Sequence, residues 1–325
     1  MRKQNWTGIG AGLGMLILIF DGKTALQGAQ IGIELCLKTV IPSLFPFFLL
    51  SILLTKSFVG TTVPLLRPMG TLFGIPEGAE SILVSAFLGG YPVGAQSIAE
   101  AFRSGQLQKE DAERMLAFCN NAGPAFLFGM VSSLFPRTWM AWALWFIQII
   151  SALLVSFLIP SKKTKPAHFS PGMSPSVSSA LLSAIRVIAM VCGWVVLFRV
   201  VVSFLDRWVL WLLPVEVRTA VIGLLELSNG CCELLYIENV KLRFLICSSI
   251  LAFGGICVTM QTISVTSGLS MRCYFPGKIL QTLFSLLFSA VILYGTWLPC
   301  ILLIPAGILL RKKQNRDSIP IAVGV

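Results

Sequence analysis

Long runs without a charged residue constrain the fold of this chain more than any other feature. Residues 138–161, 244–271 and 279–310 contain no Asp, Glu, Lys or Arg. Each run is longer than the roughly 20 apolar residues that cross a bilayer as a helix. Because 56% of the 325 residues are hydrophobic and 12% are charged, the chain has too little polar surface to cover a soluble globule. The sequence therefore predicts an all-α, polytopic protein of the cell membrane.

The basic residues fit this prediction. They give a formal net charge of +11 and lie in short groups beside the apolar runs, at residues 162–165 and 311–316. Such groups are typical of the orientation signals of membrane proteins. No basic face with interleaved aromatic residues accompanies them, so we expect a lipid bilayer as partner and no nucleic acid.

Few residues suited to catalysis or metal binding are present. His168 is the sole histidine, and the nine cysteines show no paired C-x-x-C spacing, so they are interpreted as small buried apolar residues. Tyr91 has no carboxylate or amine beside it in the sequence. We therefore expect no enzymatic activity, no metal and no cofactor, with a coupling proton or sodium ion as the one small ion that the chain would bind.

The N-terminus, residues 1–26, begins with basic residues ahead of a short apolar run. This order resembles a signal sequence, but no convincing small-x-small cleavage site follows. We expect an uncleaved N-terminal transmembrane helix.

Two small polar clusters interrupt apolar segments at their middle. They are Cys119-Asn120-Asn121-Ala122-Gly123-Pro124 and, directly after Glu226, Leu227-Ser228-Asn229-Gly230. A helix that is opened inside a bilayer survives where its freed backbone groups are buried in protein or line a watery cavity. The clusters therefore indicate a transport site.

The two halves of the chain follow the same order. Residues 27–160 and 176–310 each run from a long apolar segment through a small polar turn, a broken segment and a last apolar segment. A basic linker, 161–175, joins them, and a basic polar tail, 311–325, follows. We predict two inverted repeats, each with a re-entrant hairpin and a broken transmembrane helix, because interrupted segments in corresponding positions are typical of transporters.

Sidedness conflicts with part of this arrangement. Inverted repeats with three crossings each would place the basic groups at 162–165 and 311–316 on opposite sides of the membrane. The positive-inside rule favours both groups on the cytoplasmic side, which an extra crossing in one half would allow. We expect the inverted repeats rather than an extra crossing in one half.

Glu226 lies in a stretch, residues 219–232, that carries no other charge. A carboxylate at the centre of a bilayer costs about 3 kcal/mol on insertion scales, so we expect it to bind the coupling proton or sodium ion. The alternative is a structural carboxylate that pairs with Arg199 or Arg218.

Asn120 and Asn121 supply two amides beside a predicted helix start at Pro124, whose positive end would favour an anion. The alternative is a proline kink whose freed carbonyls bond to those amides. For a dianion, Arg186 and Arg199 are the nearest positive candidates, with snorkelling to the interface as the alternative.

The remaining candidates complete the predicted site. Substrate binding is assigned to Gly90, Tyr91, Gln96, Asn120, Asn121, Ser228, Asn229 and Gln261. The structural breaks are Gly89, Gly94, Gly123, Pro124, Gly230, Gly254 and Gly255. Small residues also serve close helix packing, so a single glycine among them is weak support.

Several of these motifs together resemble a known family, the YlbJ-type sporulation integral membrane proteins. The motifs are Pro42-Ser43-Leu44-Phe45-Pro46-Phe47, Gly90-Tyr91-Pro92-Val93-Gly94-Ala95, Phe118-Cys119-Asn120-Asn121-Ala122-Gly123-Pro124, Leu225-Glu226-Leu227-Ser228-Asn229-Gly230 and Phe253-Gly254-Gly255. The resemblance extends from about residue 27 to residue 310. Ala122 departs from the pattern, which has a serine there, and this departure bears on the substrate more than on the fold.

The resemblance implies a place in the nucleoside-recognition, or Gate, group, which is similar in layout to concentrative nucleoside transporters. It implies export of dipicolinate, a small aromatic dicarboxylate, across the mother-cell or forespore membrane of a sporulating host. The alternatives are a transporter of a nucleoside-type solute and a non-transporting membrane scaffold in sporulation. Either kind of protein is compatible with a homo-oligomer.

Overall fold

The computed structural model of the chain describes residues 2–58, 67–159 and 176–295. Over these ranges the chain forms α-helices, short 3₁₀ turns and one π-helical turn, without a β-strand. Five stretches in the described part are long and apolar enough to cross a membrane, by length and composition. They are Gly22–Thr55, Thr138–Leu158, Val177–Trp208, Val240–Val265 and Tyr274–Tyr294. The predicted all-α, multi-pass fold is confirmed.

Several predicted segments fall outside this description. The basic linker 161–175 with His168, the end of the last apolar run from residue 296, and the tail 311–325 lie outside the described residues. The sidedness of their basic groups therefore stays a prediction.

The first half begins with helix α1, Arg2–Phe20, and helix α2, Gly22–Leu35. Asp21 separates them, since its carboxylate accepts a hydrogen bond from the amide of Thr24 at 3.3 Å and caps α2. The helix predicted over residues 1–26 thus ends at Phe20. Helix α2 continues through a π-helical turn, Cys36–Val40, into helix α3, Ile41–Phe58.

Short helices follow in the first half. They are α4, Arg67–Leu72; α5, Glu80–Leu88; α6, Val93–Arg103; α7, Lys109–Leu116; and α8, Pro124–Gly129. Helices α5 and α6 pack side by side, and we call them, with residues 89–92 between them, the first helical pair. Residues 117–123, between α7 and α8, are the first break. A 3₁₀ turn, Val131–Leu134, leads to α9, Thr138–Leu158.

The second half presents elements in a similar order. Helix α10, Val177–Trp208, is followed by a 3₁₀ turn, Leu210–Leu212. Helices α11, Val215–Leu225, and α12, Leu227–Glu233, are separated by Glu226 alone. They pack against each other and form the second helical pair. The predicted repeats, their inversion and the re-entrant nature of the pairs stay predictions.

The second break is at Gly254, between two of the last described helices. After a 3₁₀ turn, Leu234–Tyr236, helix α13 covers Val240–Phe253 and helix α14 covers Gly255–Val265, with Gly254 between them. Helix α15, Tyr274–Tyr294, begins before the predicted start at 279. That difference places Lys278 inside a candidate span.

Long helices surround the pairs and the breaks. Helix α10 packs against α2 and α3, and α15 packs against α9 and α13. Close approach of α2 to α10 depends on Gly32, where a Cβ would lie 2.9 Å from the Val196 Cα. The long helices thus form a frame in which the shorter elements meet.

Candidate functional site

Both halves contribute to one cleft at the centre of the described structure. The predicted site residues that line it are Gly89, Gly90, Tyr91, Gly123, Glu226, Ser228 and Gln261. Apolar side chains of α3, α8 and α10 complete the wall. Its volume is about 30 Å³, which is room for one or two water molecules. The cleft is therefore closed to an organic solute in this conformation.

The turn of the first helical pair lies directly on the first break. Gly90 has φ +76°, and a Cβ there would lie 2.7 Å from the Gly123 amide nitrogen. A Cβ at Gly123 would lie 2.9 Å from the Gly90 Cα. One turn later, a Cβ on Gly94 would overlap the Cys119 carbonyl oxygen. The two backbones touch, and this contact requires glycine.

The two asparagines of the first break are fully buried and bond in different directions. Asn121 Nδ2 donates to the Phe118 carbonyl at 2.7 Å, as expected for an amide that satisfies a backbone group freed by a kink. Asn120 Nδ2 donates to Thr262 Oγ1 of α14 at 2.8 Å. The amides thus close the break and join it to the second half, and neither of them lines the cleft.

Lys278 lies at the meeting point of these elements, although the sequence did not indicate it. Its side chain is 1% exposed. The ammonium group donates to Tyr91 Oη at 3.0 Å, Gln281 Oε1 at 2.9 Å and Asn121 Oδ1 at 3.4 Å, and also to the Asn120 carbonyl. Lys278 therefore joins α15 to the first helical pair and to the first break.

Tyr91 connects this lysine with the cleft. Its ring lines the cleft, and its hydroxyl donates to the Leu251 carbonyl at 3.3 Å while accepting from Lys278. Leu251 lies just before the second break, where α13 leaves carbonyls without an intrahelical donor. The interpretation that Tyr91 lacks an amine neighbour is wrong in three dimensions, because α15 brings Lys278 to it from a distant part of the chain.

Polar side chains continue from Lys278 along α15. Gln281 Nε2 donates to Asn121 Oδ1 at 2.7 Å and lies 3.3 Å from Gln148 Oε1 of α9. Gln148 Nε2 reaches the Ser248 carbonyl of α13 at 3.3 Å, and the Ser248 and Ser289 hydroxyls bond at 2.8 Å. All five side chains are buried. This polar seam joins the helices that frame the site.

A sequence signal for this seam exists. The polar residues of α15 recur at positions 278, 281, 285 and 289, a spacing that places them on one helical face. Because the charge-free run begins at residue 279, directly after Lys278, the predicted span begins after this lysine. A search for polar residues at helical spacing would have found the face.

Glu226, the predicted coupling residue, lines the cleft and is 1% exposed. Its carboxylate accepts from the Ser228 amide at 3.0 Å, the Asn229 amide at 2.6 Å and Asn229 Nδ2 at 2.7 Å. It therefore caps the N-terminus of α12. The charge faces the dipole of its own helix, which stabilises a carboxylate there.

The arginines considered as partners of Glu226 bond elsewhere. Arg218 pairs with Asp206 at 3.0 Å and with Glu233 at 3.4 Å. Arg199 reaches Asn229 Oδ1 at 3.5 Å and so approaches Glu226 through that amide. Arg186, the other candidate for a dianion, is exposed.

Other predicted substrate residues divide between the cleft and the packing around it. Gln261 lines the cleft, and its Nε2 lies 3.3 Å from Cys257 Sγ. Gln96 instead donates to Glu100 at 2.9 Å on its own helix. Asn229 donates to the Glu226 carboxylate and does not line the cleft.

Two of the glycines predicted as breaks, Gly94 and Gly230, lie inside helices α6 and α12 and serve close packing instead. Gly254 and Gly255 both have positive φ, +82° and +81°, which favours glycine strongly. A Cβ on Gly254 would lie 3.0 Å from the Tyr91 ring. A Cβ on Gly230 would overlap the Gly223 Cα of α11. Pro124 is the first residue of α8, a helix of six residues, so the positive charge near the first break comes chiefly from Lys278.

Comparison with known proteins agrees with this architecture. The chain is 26% identical over 335 aligned residues to the sporulation integral membrane protein YlbJ of Bacillus subtilis (strain 168), covering 86% of this chain and 81% of that protein. The resemblance to YlbJ-type proteins that the motifs predicted is thereby confirmed. No family model matches the chain, and no solved structure matches it.

Proposed function

We propose that this chain, which resembles the YlbJ-type sporulation integral membrane proteins over most of its length, transports a small polar or anionic aromatic solute. The observation that carries the proposal is the central cleft. Both helical pairs, the first break and helix α14 bring residues to it, with Glu226 in its wall. Lys278 lies behind Tyr91, which is itself part of the wall. Irregular backbone within apolar helices is typical of transporter sites.

Transport by alternating access requires the cleft to open. Its volume of about 30 Å³ excludes an aromatic dicarboxylate, so a helical pair has to move before such a solute can enter. The pairs are suited to this because α5 has 9 residues and α6, like α11, has 11. Each is shorter than the roughly 20 residues of a spanning helix.

Dipicolinate is the solute that we propose, exported during spore formation. The name of the Bacillus subtilis relative places that protein in sporulation, and Lys278 supplies a cation for a carboxylate. Glu226 would bind the coupling proton or sodium ion on the opposite side of the cleft. The nucleoside-type solute remains the alternative substrate.

Flux in proteoliposomes tests the proposal. Purified protein is reconstituted with an imposed proton or sodium gradient, and uptake of dipicolinate and of a nucleoside is measured separately. We expect gradient-dependent dipicolinate flux in the unmodified protein and its loss in Asn120→Leu, Asn121→Leu and Glu226→Gln variants with normal membrane levels. Glu238→Gln, at an exposed carboxylate outside the cleft, is the matched control.

Each result that differs from the expected dipicolinate flux leads to a different conclusion. Nucleoside flux without dipicolinate flux would keep the transporter and change its substrate. Absence of flux and of binding for both solutes would reject the transporter. If the apolar variants also kept full sporulation function in the cell, the scaffold alternative would be favoured.

A further inference from the structure

The oxygens around Lys278 are all neutral and all act as acceptors. They belong to Tyr91, Asn120, Asn121 and Gln281. The Tyr91 hydroxyl lies 3.3 Å from the Leu251 carbonyl oxygen and 3.0 Å from Lys278 Nζ, so it is placed to donate to the carbonyl and to accept from the lysine. A neutral amine would direct its lone pair at an acceptor, whereas an ammonium donates in three directions. Because four oxygens surround Lys278 Nζ, an ammonium with three hydrogens satisfies more of them than a neutral amine with two.

This cation has no anionic partner in the described part of the chain. No carboxylate oxygen lies within 4.0 Å of Lys278 Nζ there, although ion pairs at that distance are present elsewhere. Glu226, the buried carboxylate of the cleft, is held by α12. A buried cation that faces dipoles alone is less stable than one that faces an anion. An anion at this position would supply the missing charge.

Two further buried polar atoms near Lys278 have no hydrogen-bond partner of good geometry among the described residues. They are Asn120 Oδ1 and Tyr274 Oη, on residues that are 0% and 1% exposed. Lys278 Nζ lies 5.9 Å from the centre of the Tyr274 ring. The Tyr274 hydroxyl has Asn120, Thr259 and Thr262 as polar neighbours, so Tyr274 adds a polar group beside the lysine.

Tyr91 stands between this lysine and the cleft. Tyr91 lines the cleft, and its hydroxyl oxygen is one of the acceptors around Lys278 Nζ. A carboxylate that enters from the cleft would compete with Tyr91 for the ammonium. Its arrival would release the turn of the first helical pair from α15.

We propose that Lys278 is the anion-binding residue of the cleft, and that a substrate carboxylate displaces the Tyr91 hydroxyl from it. This inference rests on the proposed transport function and assigns its substrate class, a small organic anion. Anion binding would also free the first helical pair to move, because the displaced Tyr91 belongs to that pair and the cleft opens only when a pair moves.

Binding of a charged and a neutral probe tests the assignment. The probes are dipicolinate and pyridine-2,6-dicarboxamide, which keeps the ring and the shape but carries no charge, and binding is measured by titration calorimetry on purified protein in detergent. The unmodified protein should bind dipicolinate more tightly. Lys278→Met should weaken dipicolinate binding about 30-fold or more, as is typical when one partner of a buried charge pair is removed, and change diamide binding less than about 3-fold.

Two variants keep the test independent of folding. Lys241→Met makes the same substitution at an exposed lysine of α13 and should leave both affinities unchanged. Lys278→Arg keeps the charge and should keep the preference for dipicolinate, even if both probes bind more weakly. Each preparation is compared by its elution volume and helical content.

The outcomes distinguish this inference from the proposed function. If the unmodified protein binds both probes equally, or if Lys278→Met weakens both by the same factor, Lys278 is not the anion-binding residue and the transporter stands. If neither probe binds and neither is transported, the proposed function and this inference are both rejected.

Discussion

Lys278 and Glu226 are opposite buried charges, held in different ways. Within the described residues, the donors to Glu226 are Ser228 and Asn229, two and three positions further along the chain. The acceptors of Lys278 come from α15 itself and from segments more than 150 residues away. The first arrangement is preserved when helices move as rigid bodies, whereas the second is lost when the first pair or the first break leaves α15. Glu226 is therefore a charge carried by its helix, and Lys278 holds separate elements together.

The largest effect is expected from a substitution that disrupts the backbone contact between the first helical pair and the first break. Gly94→Ala would place a methyl group on the Cys119 carbonyl oxygen, next to Asn120, and should lower the free energy of unfolding by about 3 kcal/mol through overpacking. Unfolding is followed by circular dichroism as SDS is added to mixed micelles. Gly193→Ala is the control, because among the described residues no atom beyond the neighbouring backbone of its own helix lies within 4 Å of its Cβ position. Equal stability of the two variants would contradict the close contact of the first pair with the first break.

A smaller loss should follow from breaking the local arrangement. Glu226→Ala leaves three donors of α12 without their acceptor and should lower the free energy of unfolding by about 2 kcal/mol. Because the damage is local, the preference of the protein for dipicolinate over its diamide should remain. The same calorimetric titration measures it, with Glu238→Ala at an exposed site as control. Loss of that preference would show that the two charges do not act separately.

Tyr91→Phe sharpens the comparison by removing one acceptor of Lys278 and one donor to Leu251. We expect a decrease of about 1 kcal/mol in the free energy of unfolding. Tyr236→Phe is the control, because that side chain is 67% exposed. In the binding assay the variant should bind dipicolinate somewhat more tightly, since the carboxylate no longer competes with the hydroxyl. Weaker binding would instead make Tyr91 a direct ligand of the solute.

The smallest effect concerns the polar seam that holds α15 in place. A double-mutant cycle of Ser248→Ala and Ser289→Ala should give a coupling of about 0.6 kcal/mol, the average for hydrogen bonds between membrane helices. Ser249→Ala combined with Ser289→Ala is the control, because Ser249 bonds within its own helix, to the Leu245 carbonyl. A coupling of zero between Ser248→Ala and Ser289→Ala would show that the polar seam does not hold α15, and with it Lys278, in place.

Much of the architecture was accessible from the sequence because membranes restrict it. Apolar length predicted the spans, and the positions of Asn, Gly and Pro predicted the breaks at residues 117–123 and at Gly254. Glu226 was found as a lone carboxylate in an apolar stretch. Lys278 was not found, since one lysine near the end of an apolar run has the same appearance whether it faces lipid headgroups or the protein interior.

Sequence alone thus determined the class of fold and the openings at residues 117–123 and at Gly254, because hydrocarbon does not tolerate unpaired backbone groups. The predicted interruption at residues 227–230 lies inside α12, and the chain opens at Glu226 instead. The sequence also identified Glu226 as a lone carboxylate in an apolar stretch, although its contacts with Ser228 and Asn229 were not predicted. The tertiary structure decided that Asn120 reaches Thr262, that Gln96 turns to Glu100, and that Lys278 meets Tyr91. Those contacts depend on how distant helices pack, and packing is set by shape complementarity across segments that are far apart in the chain.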